Sequence, residues 1–429
     1  MRQPVIASLV IGALGCCAAF ADASDEGALT LARARQLALR NNADLRVAQS
    51  QADAALAQLQ AVREFPNPVV GYSVAKINTD GRSNQTPEGT GYWGRSYDSV
   101  FSLSQLFEIG KRGVRRASAE AGARSAAALR DDSHRLLLQS VDQLYLFALE
   151  AREEVRVLTD SAGSLRREAG IAAARFHAGD IAATDQAQIE IAASQLDLSA
   201  AAARANARTA LIALEKLLGF ADPRGQTVLA DSFERVARPS VNAEPPSSAR
   251  PDIAAAEAGL AKSEADLALQ RRGSIPDVTL SLQYEHQPPD QPNTAGLGLS
   301  FPLPVWNRNT GNIRAALAAR DQAQAQLDKV RTQAAADLAA ARVAYDEARV
   351  RAATYFHDIQ PKSAAITQAV TYAYDKGGAA LVELLAAERN DNDIRLATAR
   401  AQADAASASF ALAAALNHRE AGADRSAEP

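Results

Sequence analysis

The chain has 429 residues, 47% of them hydrophobic but only 5% aromatic, and alanine dominates the apolar share. Alanine contributes little apolar area per residue, so this composition suits close helix-on-helix packing better than one thick globular core. A formal net charge of -4, with both signs interspersed, leaves no basic stripe to neutralise phosphates and argues against nucleic acid as a partner.

At the N-terminus, Arg2, the apolar run PVIASLVIGALGCCAAF and the Ala19-Phe20-Ala21 site read as an export signal over residues 1–21. Cys16 and Cys17 lie inside this segment, so lipoprotein processing is the alternative. Ala13 stands where such a site carries a larger aliphatic residue, and the pattern favours cleavage after Ala21. The mature chain then holds no cysteine, which excludes disulfides and thiolate metal sites. No later stretch supplies the ~18 consecutive apolar residues of a spanning helix, so the exported chain is periplasmic, secreted or a β-barrel.

The remainder reads as two copies. NNADLRVAQSQADAALAQLQAVREFPNPVVGYSV runs from a helical pattern through Pro68 into a strand, and RPDIAAAEAGLAKSEADLALQRRGSIPDVTLSLQY does the same through Pro276. Asp44 and Pro68 match Asp252 and Pro276 at one offset; SLSQLFEIGKRG answers GLSFPLPVWNRNTG, with Arg112 against Arg308. The expected division is a first repeat over 22–219, a linker or equatorial region over 220–250, a second repeat over 251–416 and a polar tail over 417–429. Each repeat reads helix, strand, loop, strand, long helix, turn, helix.

Strand candidates alternate in period two. Val278, Leu280, Leu282 and Tyr284 share one face, with Thr279, Ser281, Gln283 and Glu285 on the other; Phe101 and Leu103 alternate with serines, and Leu297, Leu299 and Phe301 with small residues. Such strands fit an edge sheet on a soluble core or a sheet facing lipid. Long polar connections, and the lack of any other element to cover the apolar face, favour lipid. Four strands are too few to enclose a pore, so several chains would share one barrel. Tyr92, Trp93 and Trp306 are either interfacial anchors or loop-packing aromatics.

The long helices carry a coiled-coil heptad. In the first repeat the stripe runs Leu137, Val141, Leu144, Ala148, Ala151, Val155, Leu158, Ala162, Leu165, Ala169, Ala172, Phe176; in the second it runs from Ala323 to Ile359 with one extra spacing of four. Continuous helices over 114–176 and 313–374 would each rise on the order of 90 Å. Pro361 should kink the second or mark a break in it.

Each long helix ends in a motif, FHAGDIAATD (176–185) or YDKGGAALVE (374–383), followed by another helix. Gly179 and Gly377 permit a left-handed cap and a reversal, which makes each motif the tip of a helical hairpin. Their shared spacing to Asp185 and Glu383 sets them apart from an ordinary turn.

These features resemble the TolC-like outer-membrane factors, trimeric exit ducts of efflux pumps and type I secretion systems. The resemblance rests on the duplication, the aromatic-x-x-Gly tips at Phe176 and Tyr374, and the string PLPVWNRNTGNI. The string is similar to the branch serving heavy-metal efflux by resistance-nodulation-division pumps, the cobalt-zinc-cadmium and copper or silver exporters. The resemblance implies a mainly α fold with a small β part: a long helical coiled-coil barrel forming a periplasmic tunnel, plus a transmembrane β-barrel shared by a homotrimer. It implies that Phe176, Gly179, Asp180, Ile181, Tyr374, Gly377, Gly378, Ala379 and Leu381 form tips that dock on a periplasmic adaptor protein, itself bound to an inner-membrane pump. It also implies a gate in which Glu383 occupies the first acidic position, with Ala386 at the second. Glu383 pairing with Arg389 or Lys376 as a solvated helix-face carboxylate is the alternative; Asp185 reads as a hairpin-stabilising residue.

His134, His177, His286, His357 and His418 form no metal-ligand spacing, and no nucleophilic triad or phosphate loop stands out. No cofactor is expected. Rival functions are a drug-efflux or secretion duct of the same fold, a periplasmic coiled-coil adaptor or scaffold, and an exported enzyme.

Overall fold

The computed structural model describes residues 28–75, 98–236, 250–287 and 291–417. The expected export signal, Tyr92, Trp93 and His418 lie outside them, as does all of the expected tail beyond Asn417. The first copy runs α1 (Leu31–Asn41), α2 (Ala43–Arg63), β1 (Val69–Ala75), β2 (Asp98–Phe107), α3 (Arg112–Ala178) and α4 (Ala183–Leu217). After a short α5 (Phe233–Val236), the second runs α6 (Pro251–Arg272), β3 (Val278–Gln287), β4 (Gln291–Ser300), α7 (Thr310–Thr354), α8 (Gln360–Asp375) and α9 (Leu381–Ala415).

Local chemistry sets the boundaries. Thr30 and Asn42 cap α1 and α2 by accepting from Arg33 N and Leu45 N, and Pro251 opens α6, where the first turn needs no proline N–H. The 67-residue α3 is unbroken, about 100 Å at 1.5 Å per residue. Its heptad stripe is buried or half-buried through Ala172, but Phe176 is 38% exposed, so the stripe ends one step earlier than the sequence pattern implied. The second long helix is interrupted: Tyr355–Ile359 form a π-helical turn between α7 and α8, with Pro361 in the first turn of α8. A proline removes one backbone donor and crowds the carbonyl four residues earlier, and the wider turn absorbs both effects.

The four strands form one antiparallel sheet in the order β1-β2-β3-β4. Its register places Tyr72, Phe101, Tyr284 and Ala295 in one row, and Val70, Leu103, Leu282 and Leu297 in the next.

The largest core lies midway along the helices. Leu29, Ala34, Val141, Tyr145, Leu149, Leu214, Leu218, Leu229, Phe233 and Phe410 belong to it, so the segment expected to be a linker is partly core. Polar contacts brace this belt. Arg35 grips Asp142 at 2.7 and 2.9 Å, the Tyr145 hydroxyl lies 2.8 Å from both Leu29 O and Asp231 Oδ2, and Arg152 donates to the carbonyls of Leu229 and Asp231. Glu215, 3% exposed, accepts from the backbone N–H groups of Gly225, Gln226 and Thr227 and from Thr227 Oγ1.

Candidate functional site

The two tips have the same backbone. Gly179 (φ 85) and Gly377 (φ 74) are left-handed; Gly179 N–H donates to Phe176 O as Gly377 N–H does to Tyr374 O. Asp180 N–H donates to Arg175 O at 2.9 Å, and Gly378 N–H to Ala373 O at 2.8 Å. This double closure satisfies the last carbonyls of each helix and requires a residue that tolerates positive φ. A Cβ at Gly179 or Gly377 would meet nothing within 4 Å, so packing inside the chain does not demand glycine there.

The side chains differ between tips. Phe176, Gly179, Asp180, Gly377 and Gly378 are exposed; Ile181 and Ala379 are half-buried. Tyr374, 5% exposed, and Leu381 are buried with Leu165, Ala172, Ile189 and Leu384 in a cluster joining the two hairpins. These two side chains are packed between the hairpins rather than exposed at the tip surface. Arg175, which sequence reasoning missed, crosses from one tip to the other, with its guanidinium 3.5 Å from Tyr374 O and 5.4 Å from the Tyr374 ring centroid. Burial raises the Tyr374 hydroxyl pKa above its ordinary value despite the Arg175 charge. The signal for Arg175 was its place directly before the aromatic of the first tip, where the second copy has Ala373.

Glu383 is exposed in the first turn of α9 and makes no ion pair among the described residues; Lys376 instead lies 5.7 Å from the Tyr372 ring centroid. Asp185 sits in the first turn of α4, half-buried, where its charge favours the helix N-terminus.

At the other end of the molecule, the sheet is two-faced. Val70, Tyr72, Phe101, Leu103, Leu280, Leu282, Tyr284, Leu297 and Leu299 form one face, and all are exposed, Leu282 by 50% and Leu297 by 81%. Gly71, Ser102, Ser281, Gln283, Gly296 and Gly298 are on the other face. Tyr72 and Phe101 pair at 4.7 Å between ring centroids, and Phe101 and Tyr284 at 6.3 Å. Beyond β4, Leu303 and Val305 are exposed and Trp306 is 96% exposed, so Trp306 packs into no loop among the described residues. Lys111 meets Asp277 at 2.8 Å, and Arg112 stacks 3.5 Å from the Phe65 ring centroid, which ties the sheet to the helices.

No helix among the described residues is long and apolar enough to cross a membrane, and no group of three His, Cys, Asp or Glu side chains among them could hold a metal ion. An uncovered apolar sheet with a helix about 100 Å long beyond it defines a class: a membrane channel protein whose strands face lipid and whose helices extend the duct. The outer membrane efflux protein family matches residues 34–220 and 247–418, and the chain belongs to that family. It is an outer-membrane protein with its helices in the periplasm, and its class is an exit duct. Among its relatives, the cobalt-zinc-cadmium resistance protein CzcC of Cupriavidus metallidurans is 27% identical over 85% of this chain and 84% of its own. The pyoverdine export outer membrane protein OpmQ of Pseudomonas aeruginosa is 29% identical over 71% of this chain and 66% of its own. In structure, the chain is similar to CusC (TM-score 0.75, 18% identity, 90% of this chain and 91% of that one). It is also similar to VceC of Vibrio cholerae (TM-score 0.72, 18% identity, 90% and 95%).

Proposed function

We propose that this chain is one protomer of a homotrimeric duct that exports heavy-metal cations, working with a periplasmic adaptor and a proton-driven inner-membrane pump. The trimer is argued from the sheet: four strands per chain leave the outer edges of β1 and β4 without a partner strand among the described residues, and three sheets joined edge to edge would close twelve strands around a pore. The polar face then lines the lumen and the apolar face meets lipid. At the far end, Phe176, Gly179, Asp180, Gly377 and Gly378 offer an open surface for adaptor helices, with Ile181 and Ala379 beside them and Tyr374 and Leu381 supporting them from within. Glu383 would contribute one carboxylate per protomer to a cation-favouring ring. On this reading the second repeat ends at 416, the first spans 22–219, and the duct itself is passive.

The cargo reading is carried by the likeness to CzcC, together with the string PLPVWNRNTGNI that leads from the sheet into α7. The likeness to OpmQ, a pyoverdine export protein, favours a second reading, export of a drug or another organic molecule. Growth of a strain lacking this protein, with and without complementation, across zinc, cobalt, cadmium, copper, silver, chelators and hydrophobic drugs separates them. Sensitivity to metals alone is the expected outcome; sensitivity to drugs or chelators alone overturns the cargo while leaving the duct.

A further inference from the structure

The apolar alternation of β4 does not stop with the strand. Leu297 and Leu299 are followed at the same period by Phe301, Leu303 and Val305, all exposed, and Pro302 and Pro304 bias the intervening backbone away from helix. The run ends at Trp306, almost fully exposed, and Arg308, also exposed. Asparagines fix the loop that presents them. Asn309 N–H donates to Asn307 Oδ1 at 3.0 Å, Asn312 Nδ2 donates to Asn309 Oδ1 at 2.6 Å, and Asn309, left-handed at φ 60, donates from Nδ2 to Gln270 O at 2.7 Å. That last bond pins the residue after Arg308 to the residue before Arg271, so Arg308 is held at the end of α6 that carries Arg271 and Arg272. A Cβ added to Gly110 would lie 3.5 Å from Arg272 Nη1, which sets this corner beside the turn between β2 and α3.

Arg271, Arg272 and Arg308 are exposed and make no ion pair among the described residues, while the acids Asp277, Glu108 and Glu120 are held by Lys111, Arg115 and Arg116. Cations at the end of a helix commonly serve its last free carbonyls. Here those carbonyls are already satisfied: Leu269 O by Gly273 N–H, Gln270 O by Asn309 Nδ2, Arg271 O by Ser274 Oγ and Arg272 O by Ile275 N–H. The three guanidinium groups are therefore left for an acceptor outside the chain. Their forked, permanently charged donors match phosphate oxygens, and an apolar run ending in a tryptophan beside them suits the boundary between acyl chains and headgroups.

We propose that Arg271, Arg272 and Arg308 bind the phosphate of an anionic phospholipid, phosphatidylglycerol or cardiolipin, in the periplasmic leaflet of the outer membrane, with Trp306 seated at the headgroup level. Charge complementarity selects the anionic headgroup, and continuity with the apolar face of the sheet selects lipid over a soluble anion. The proposal rests on the reading that this face of the sheet meets lipid.

The chain has two tryptophans, so Trp93→Phe leaves Trp306 as the sole indole reporter. The full-length protein carrying that change is reconstituted into phosphatidylcholine vesicles with a minor share of phosphatidylglycerol. Bromine is placed on the acyl chains either of the phosphatidylglycerol or of an equal amount of the phosphatidylcholine. Quenching of Trp306 should report a local enrichment of brominated phosphatidylglycerol of about fivefold, the attraction that one arginine supplies at a membrane surface. R271Q/R272Q/R308Q should bring the two lipids level while brominated phosphatidylcholine quenches as before, which shows that the variant still inserts. Arg308→Gln alone should lower the preference part of the way, so the outcome does not hang on the triple variant folding. A preference that survives the triple variant in full places the headgroup elsewhere and overturns the proposal. Equal quenching by the two lipids with the arginines present overturns it too, leaving them to a soluble anionic partner and the lipid-facing sheet intact. Absence of quenching by either lipid sinks the lipid-facing reading itself.

Discussion

Glu215 shows how much one buried carboxylate can organise. Burial would raise its pKa, but hydrogen bonds from Thr227, Gly225 and Gln226 outweigh that and hold it below the ordinary carboxylate range. Its stabilisation is therefore present above the unfolded pKa and lost as pH falls through the depressed one. Glu215→Ala should destabilise the midsection by about 2–4 kcal/mol, since it leaves several buried donors unpaired, and Glu215→Gln should remove part of the acid sensitivity. Thermal melts at neutral and acid pH check both; identical melting of all three proteins at every pH would refute the assignment. At the same scale, the gate role proposed for Glu383 would work through charge. Glu383→Ala should weaken block of the reconstituted pore by trivalent cations about tenfold, on the order of 1.4 kcal/mol, and an unchanged block removes it from the gate. The role of Glu215 was not legible in the sequence, because a lone glutamate within an amphipathic helix looks like a solvated one.

At the scale of elements, far more was legible. The alternation of threes and fours in α3 follows from helix geometry alone, and almost the whole stripe is buried or half-buried as that periodicity requires. Pro361 announced a break; that the break takes the form of a π turn at Tyr355–Ile359 was not legible in the sequence. The tips were legible because a left-handed residue after a long helix is a local requirement. Gly377→Trp places a bulky side chain at φ 74, costing about 1 kcal/mol of local strain, and fills open space in front of the tip. It should abolish co-purification with the adaptor and restore little metal resistance to a deletion strain, while the trimer still assembles; full resistance would exclude the tip from docking. What the sequence concealed was the asymmetry of the tips. Phe176 and Tyr374 occupy matching places, yet only Tyr374 is buried, and that choice is made by Ile189, Leu384 and Arg175 from other segments.

The whole molecule is a sheet for one solvent and helices for another. Leu282, on the apolar face of β3, should not tolerate charge: Leu282→Lys costs about 2–4 kcal/mol if that face meets hydrocarbon and should deplete the protein from outer membranes, whereas Gln283→Lys should leave insertion intact. Equal insertion of the two variants would contradict the assignment of the faces. By itself the sequence determined the duplication, the helices and their length, the alternating strands and the tips, since each depends on residues close together in the chain. Only the tertiary structure decided which strands are neighbours, how residues 220–236 join the central core, and which tip aromatic is covered. Those outcomes depend on contacts between residues as far apart as Leu29 and Leu229 or Ser161 and Asn392, and no local pattern carries the cost or gain of such an encounter.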